Sequence, residues 1–264
     1  MQPEKEYSGR TSKNGYYVIG VDVGRIGCTT EAMVIKVTPQ PQGSALKSLV
    51  NLYTFEAEHF EDQAIHLKNL FYKYRARALV IDGNGLGHGL TDFMVKSQID
   101  PATGDALPPF GVDPDCDKEN VYKQYKGEEF EKDAVWIVKA DSALNTEMYS
   151  YMQTQMSSGR VKFLIDEVQA KIKLMSTKAG LAMDADKKAE HLRPFTLTTI
   201  LREQLLNLVE ENDNNRNIVL KPVSKAIKKD KVSALGYGLY YVKLQEERKR
   251  KRHGRDISKL LFMN

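Results

Sequence analysis

Three aspartates of this chain stand where backbone elements begin or end: Asp22, Asp82 and Asp230. Asp22 lies in YYVIGVDVG (16–24), with one glycine two residues before it and another two after. Tyr17, Ile19, Val21 and Val23 alternate there with Val18, Gly20, Asp22 and Gly24, the period of a buried strand. The carboxylate therefore stands on a face stripped of bulk, where a ligand can approach the backbone. A charge in such a place needs a cation or a hydrogen-bond donor. Asp82 ends the short apolar run RALVID (77–82) and precedes GNGLGHG, and Asp230 opens a helical pattern in KKDKVSALGYGLYYV (228–242). Three carboxylates within a few ångströms repel one another unless divalent cations lie between them. Two such ions, about 3.5–4 Å apart, clamp the attacking and leaving oxygens of a phosphodiester, one making hydroxide and the other stabilising the departing 3′ oxygen.

Each aspartate also has a plain structural reading. Asp22 can bond a turn at a strand end, and Asp82 can serve as a turn or cap residue. Asp230 can be a helix N-terminal acid, favoured by about 0.3–1 kcal/mol against the helix dipole. The order of all three, with lysines around the third, favours the metal site.

The chain offers no rival set of reactive groups. Its two cysteines, Cys28 and Cys116, have no metal-like spacing, and its five histidines, His59, His66, His88, His191 and His253, are scattered. Any metal would sit among carboxylates, which points to hard cations such as Mg²⁺ or Mn²⁺. A chain of 264 residues buries a core without disulfides and reads most economically as one domain. No apolar run reaches membrane-spanning length, and MQPEKEYSGRTSKNG lacks the apolar core of a signal peptide. A soluble, intracellular protein with no membrane partner is expected. The net charge of +4 is uneven, with clusters at KAIKKDK (225–231) and RKRKRHGR (248–255). Such clustering suits a polyanion, although the second cluster also reads as a solvated helix end or tail.

The acids need a scaffold, and the sequence sketches one. Strands are expected at 29–38 and 46–57, a helix at 61–75, a strand at 77–82 and a helix from there to Ser97. Residues 100–131 read as an irregular excursion. A strand is expected at 134–139, a helix capped by Asp141 through Met156, and an extended piece at 160–165. Lys173 to Pro194 reads as a flexible polar segment or a hairpin. A helix at 195–211, an extended segment at 218–222 and a last helix from Lys229 to about Arg252 complete the chain. Three antiparallel strands followed by parallel ones make an α/β fold, a mixed sheet with helices on both faces. If the first and fourth strands are neighbours, Asp22 and Asp82 lie side by side at their carboxyl ends. The last helix buries Val232, Leu235, Leu239 and Val242, and its small residues Ala234 and Gly238 allow close packing that brings Asp230 towards the other two.

With these residues the chain resembles the C-terminal nuclease domain of the large terminase subunit of tailed bacteriophages, which has an RNase H-like fold. The resemblance is carried by VIGVDVGR (18–25), LVIDGNGLGHGLTDFM (79–94) and NRNIVLKPVSKAIKKDKVSALGYGLYYV (215–242), with SGRVKFLIDE and LREQLLNLV between them. It covers about residues 16–245 and implies that Asp22, Asp82 and Asp230 are the metal-binding catalytic acids. It also implies an endonuclease that cuts double-stranded viral DNA during packaging in the host cytoplasm, using two Mg²⁺ or Mn²⁺ ions. Implied partners are the terminase ATPase domain, the small terminase subunit and the portal. Some members carry two adjacent aspartates at the third position; here Lys231 follows Asp230, which leaves open whether a fourth ligand replaces the missing one. No GxxxxGK[ST] phosphate loop is present, so the nuclease half without its ATPase is expected. The expected layout is a lead-in at 1–15, the nuclease domain at 16–245 and a basic tail at 246–264.

Holding a duplex needs cations along its backbone. Lys221, Lys225, Lys228, Lys229 and Lys231 surround Asp230 and are expected to contact phosphates without reading sequence, so little sequence preference follows. Lys178, Lys187 and Lys188 lie on a segment that either crosses the DNA or is idle surface. His88 reads as a packing or solvent-facing residue. Three other functions fit parts of the pattern: a structure-specific nuclease of the junction-resolvase type, an actin-like or sugar-kinase-like nucleotide-binding protein, and a DNA-binding module whose acids are structural.

Overall fold

The computed structural model describes residues 15–24, 28–56, 59–125, 131–213, 215, 217–224 and 226–261. The expected lead-in therefore lies almost wholly outside the described residues, and so does Lys225.

Strand β1 (Tyr16–Asp22) is the centre of the sheet because both of its faces are apolar. Tyr17, Ile19 and Val21 enter one core, and Tyr16 and Val18 enter the other. β2 (Thr29–Thr38) pairs antiparallel with β1, and β3 (Leu46–Glu56) pairs antiparallel with β2. Helix α1 (Phe60–Tyr74) leads to β4 (Ala78–Asp82), which runs parallel to β1. Helix α2 (Leu86–Met94) follows, then a small hairpin of β5 (Gln98–Ile99) and β6 (Ala106–Leu107). β7 (Phe110–Val112) and β8 (Glu131–Val138) extend the main sheet in parallel. Helix α3 (Ser142–Ser157) starts as expected at Asp141, whose carboxylate accepts the Leu144 N–H at 2.8 Å. β9 (Val161–Lys162) touches the far edge, beside β3. Helices α4 (Glu167–Met175), α5 (Lys178–Ala182) and α6 (Ala185–Leu206) come next, then a hairpin of β10 (Leu208–Asn212) and β11 (Ile218–Pro222). Helix α7 (Asp230–Leu261) closes the chain.

The main sheet has seven strands in the order β7-β8-β4-β1-β2-β3-β9. Three antiparallel strands and then parallel ones, with helices on both faces, give the expected α/β mixed sheet. Helices α1 and α2 cover one face through Leu67, Leu70, Leu90 and Met94. Helices α3, α6 and α7 cover the other through Met148, Phe195, Leu235 and Leu239. Helix α7 lies close on β1: a Cβ at Gly20 would stand 2.1 Å from the Ala234 carbonyl oxygen and 2.8 Å from the Gly238 nitrogen. The small residues expected to allow this approach do so.

Four stretches differ from expectation. Within 100–131 lie β6 and β7, strands of two and three residues, too short to display a period. Lys173–Pro194 is helical rather than a hairpin, because Thr177 caps α5 through the Gly180 N–H and Asp184 caps α6 through the Lys187 N–H. Helix α6 ends at Leu206, and Leu208–Asn212 is a strand rather than a helix end. Helix α7 runs past Arg252 to Leu261, through much of the expected tail. No helix among the described residues is long and apolar enough to cross a membrane.

Candidate metal centre

One rung of the sheet assembles the acids. Val21 pairs with Ile81 in the parallel β1–β4 ladder, which sets Asp82 beside Asp22 at the carboxyl ends of the two strands. On the other side Asp22 is the register partner of Glu31, and Glu31 is the partner of Thr54. The rung therefore reads Asp82, Asp22, Glu31, Thr54 across β4, β1, β2 and β3. Residues in one rung of a sheet send their side chains to the same face, and strands lie about 4.8 Å apart. That face is the one crossed by α7, whose first residue is Asp230.

The electrostatics centre on Asp22. Burial, and then the charges of Asp230, Asp82 and Glu31, push its carboxyl from the ordinary 3.8 up to about 8, with Lys229 opposing them. Asp82 is also raised by burial. The Asn84 N–H, 3.0 Å from Asp82 Oδ1, the Tyr237 hydroxyl and the charge of His88 hold it back. Tyr237 is buried, and both burial and the two aspartates raise its phenol, so it stays a proton donor. Glu31 is 3% exposed and fully bonded. Its Oε1 meets Lys231 Nζ at 2.6 Å and the Thr29 hydroxyl at 3.1 Å, while its Oε2 accepts the Thr54 hydroxyl at 2.8 Å.

The donor set is carboxylate oxygen throughout, which suits a hard divalent cation. Among the described residues no three Asp, Glu, His or Cys side chains are gathered into a ready coordination cage. The acids instead surround Asp22 from β2, β4 and α7, and Lys231 supplies the internal counter-charge to Glu31. A bound cation would offset the mutual repulsion of these carboxyls.

The lysines divide. Lys231 is 4% exposed and lies inside the site, where its Nζ also meets the Thr54 hydroxyl at 3.2 Å, so it does not stand on the surface with the others. Lys221 and Lys228 are exposed, the former paired with Glu211 at 2.6 Å. Lys229 is half-buried and donates to the Leu220 carbonyl at 3.3 Å. On α5 and α6, Lys178 is exposed, Lys187 pairs with Asp184 at 2.8 Å, and half-buried Lys188 reaches the Leu181 carbonyl at 3.2 Å. His88 is half-buried with Nδ1 3.0 Å from the Tyr122 hydroxyl. Glu31, Thr54 and Tyr237 are the site residues that sequence reasoning missed.

No protein-family model matches the chain, and no curated protein matches it. Three similar solved structures are nuclease domains of phage large terminase subunits. One is the large terminase nuclease of the thermophilic phage G20c with bound magnesium, at 15% identity, over 90% of this chain and 91% of that one, TM-score 0.48. Another is the large terminase nuclease domain of Thermus phage P74-26, at 15% identity, over 90% of this chain and 87% of that one, TM-score 0.46. The third is the nuclease domain of the large terminase subunit of the bacterial virus Sf6, at 12% identity, over 88% of this chain and 89% of that one, TM-score 0.40.

Proposed function

We propose that this chain is a divalent-metal-dependent endonuclease of the phage terminase type, which hydrolyses phosphodiester bonds of double-stranded DNA with little sequence preference. The observation that carries this reading is the gathering of Asp82, Glu31 and Asp230 around buried Asp22, whose carboxyl is raised to about 8 by burial and then by those neighbours. A fold gains nothing from gathering acids whose charges oppose one another, unless a cation completes the set. When bound, two Mg²⁺ or Mn²⁺ ions would supply a hydroxide nucleophile at neutral pH and stabilise the leaving oxygen. Asp22, Asp82 and Asp230 would hold them. Glu31 is the acid next in the rung, and it would stand in for the second aspartate missing after Asp230 only by exchanging Lys231 for a cation. The Tyr237 hydroxyl fixes the orientation of Asp82, and Lys231 with Thr54 fixes Glu31. Lys221, Lys225, Lys228 and Lys229 would meet DNA phosphates beside the acids, with Lys178, Lys187 and Lys188 further along the DNA. On this reading the chain acts in the host cytoplasm with a terminase ATPase domain, a small terminase subunit and a portal.

The test is plasmid cleavage with Mn²⁺, with Mg²⁺ and with EDTA, beside Asp22→Asn, Asp82→Asn and Asp230→Asn. Cutting that needs the metal and is lost in all three variants is the expected outcome. A folded, DNA-bound wild type that stays inert with both metals would sink the proposal.

A further inference from the structure

Strand β3 is paired with β9 only at Lys47 and Ser48, so among the described residues its outer edge is open from Asn51 to Glu56. Helix α1 stands to one side of that edge and the first half of α6 to the other. Between them lies a cleft of about 680 Å³. It begins at Thr54, the last member of the acid rung, two strand spacings or about 10 Å from Asp22.

The lining of this cleft is neither apolar nor acidic. The Phe55 ring stacks on His66 with centroids 5.4 Å apart and planes 5° from parallel, a flat aromatic step. Tyr53 and His191 add further rings. Three cations border the step. Lys73 is exposed with its Nζ 5.9 Å above the Tyr53 ring, Arg193 is exposed with Nη2 3.4 Å from the Thr54 carbonyl, and Lys187 lies across from them. Glu190 is the one acid in the lining. Aromatic faces among cations are what unpaired nucleic acid uses: each base has a π-face to stack, and the phosphates follow the charge. A duplex keeps its bases stacked on one another, and its width cannot enter a cleft of this size.

We propose that this cleft is a subsite for an unpaired nucleotide flanking the cut, its base on the Phe55–His66 step and its backbone held by Lys73, Lys187 and Arg193. The proposal deepens the nuclease reading and rests on it. A strand whose scissile phosphate lies over the acids leaves its neighbouring bases within reach of the step. The enzyme then prefers DNA frayed or distorted beside the cut over fully paired DNA. Stacking is tolerant of base identity, so this preference is for structure and not for sequence. The open edge of β3 is also a template for a polypeptide strand. The cations and stacked rings favour DNA, and Arg193 already occupies the Thr54 carbonyl, an acceptor that a peptide strand would need.

The experiment uses fluorescent oligothymidylate carrying 5-iododeoxyuridine, in EDTA, so that no cutting enters the reading. Anisotropy is expected to show binding weakened about 5- to 150-fold by Phe55→Ala, the range of one stacked base. Arg193→Ala and Lys73→Ala, both at exposed positions, are each expected to lower the salt dependence by about one ion. Photo-crosslinks are expected at Tyr53, Phe55 or His66. Unchanged affinity in the two exposed-site variants, or crosslinks only outside the cleft, would overturn the subsite and leave the edge to a polypeptide. Plasmid cleavage measured in parallel separates the two readings. Cutting by a protein without cleft crosslinks removes the subsite and leaves the nuclease. Cleft crosslinks on a protein that never cuts uphold the subsite's affinity for unpaired DNA and remove the nuclease.

Discussion

Helix α7 contributes an acid to each end of the sheet, and the two ends treat that acid in opposite ways. At its start, Asp230 joins Asp22, Asp82 and Glu31, and burial together with their charges drives Asp22 up to about 8. Sixteen residues on, about 24 Å along the helix, Glu246 meets a group built to receive it. Burial alone would raise that carboxyl. The Ala45 N–H at 2.7 Å, the Ser44 hydroxyl at 2.8 Å and Lys47 at 3.3 Å bring it below its ordinary value. Lys47 is fully buried and also donates to Gln155 Oε1 at 2.8 Å. A carboxylate whose partners are all protein is a fastener. Carboxylates left facing one another are, on the proposed reading, where a cation would bind. Burial works against ionisation at both ends, more strongly at Asp22, and only Glu246 has protein donors and a cation enough to overcome it.

The comparison can be broken in four ways. Asp22→Asn should reduce plasmid cutting by about 10³-fold or more, while the metal-free protein melts no lower than wild type because a carboxyl that folding forces to take up a proton has gone. A large fall in melting temperature would show Asp22 to be a fastener too. Lys47→Ala should do the reverse, costing about 3–5 kcal/mol in chemical denaturation because Glu246 is left buried without its cation. Its folded fraction should cut DNA at the wild-type rate per molecule, and a cost under about 1 kcal/mol would erase the distinction.

The third way is pH. Folded Asp22 holds a proton up to about 8 that the unfolded chain sheds near 3.8. Its contribution to the stability of the metal-free chain is therefore fullest below the lower value and is lost as pH rises towards the higher. Glu246 has the opposite sign, adding stability above its unfolded value that is lost as pH falls through the lower folded one. Mn²⁺ must displace the Asp22 proton, so its affinity should rise with pH. At a concentration about a hundredfold over Kd at pH 8, it should raise the melting temperature by about 5–10 °C. The rise at pH 6 and the same concentration should be smaller; equal rises at both would remove Asp22 from the ligand set. The smallest effect is expected from Tyr237→Phe, which frees Asp82 to turn and should slow cutting about tenfold at unchanged stability. Rescue at high Mn²⁺ would mark Tyr237 as a positioning residue, whereas a fall in melting temperature alone would make it mere packing.

Much of the scaffold is legible in the sequence because burial imposes periods. The β1 stretch is apolar on two faces, and α7 repeats its apolar and small residues at helical spacing, so the approach of Asp230 to the sheet follows from pattern alone. Lys231 shows how one signal was available and passed over. It stands four residues before Leu235 and eleven before Val242, on the buried stripe of its helix, so its phase already placed it inside with Glu31. Glu31 is harder. Its membership of the rung depends on the register between β1 and β2, and a hydrophobic period within one strand does not report its partner's register. The short strands β6 and β7 and the strand after α6 escape for a related reason: two to five residues cannot express a period.

The β1–β2 register has a consequence for how the chain comes to be active. Successive residues of a strand face opposite ways, so pairing displaced by one residue sends Glu31 and Thr54 to the side covered by α1. The misaligned hairpin would lose some packing and would take Glu31 out of the centre, because Asp22 would then face α7 with no acid beside it on β2. The complete set of acids thus depends on a single choice of register. A population that is half misregistered would hold two discrete kinds of centre, with and without Glu31, and not one averaged kind.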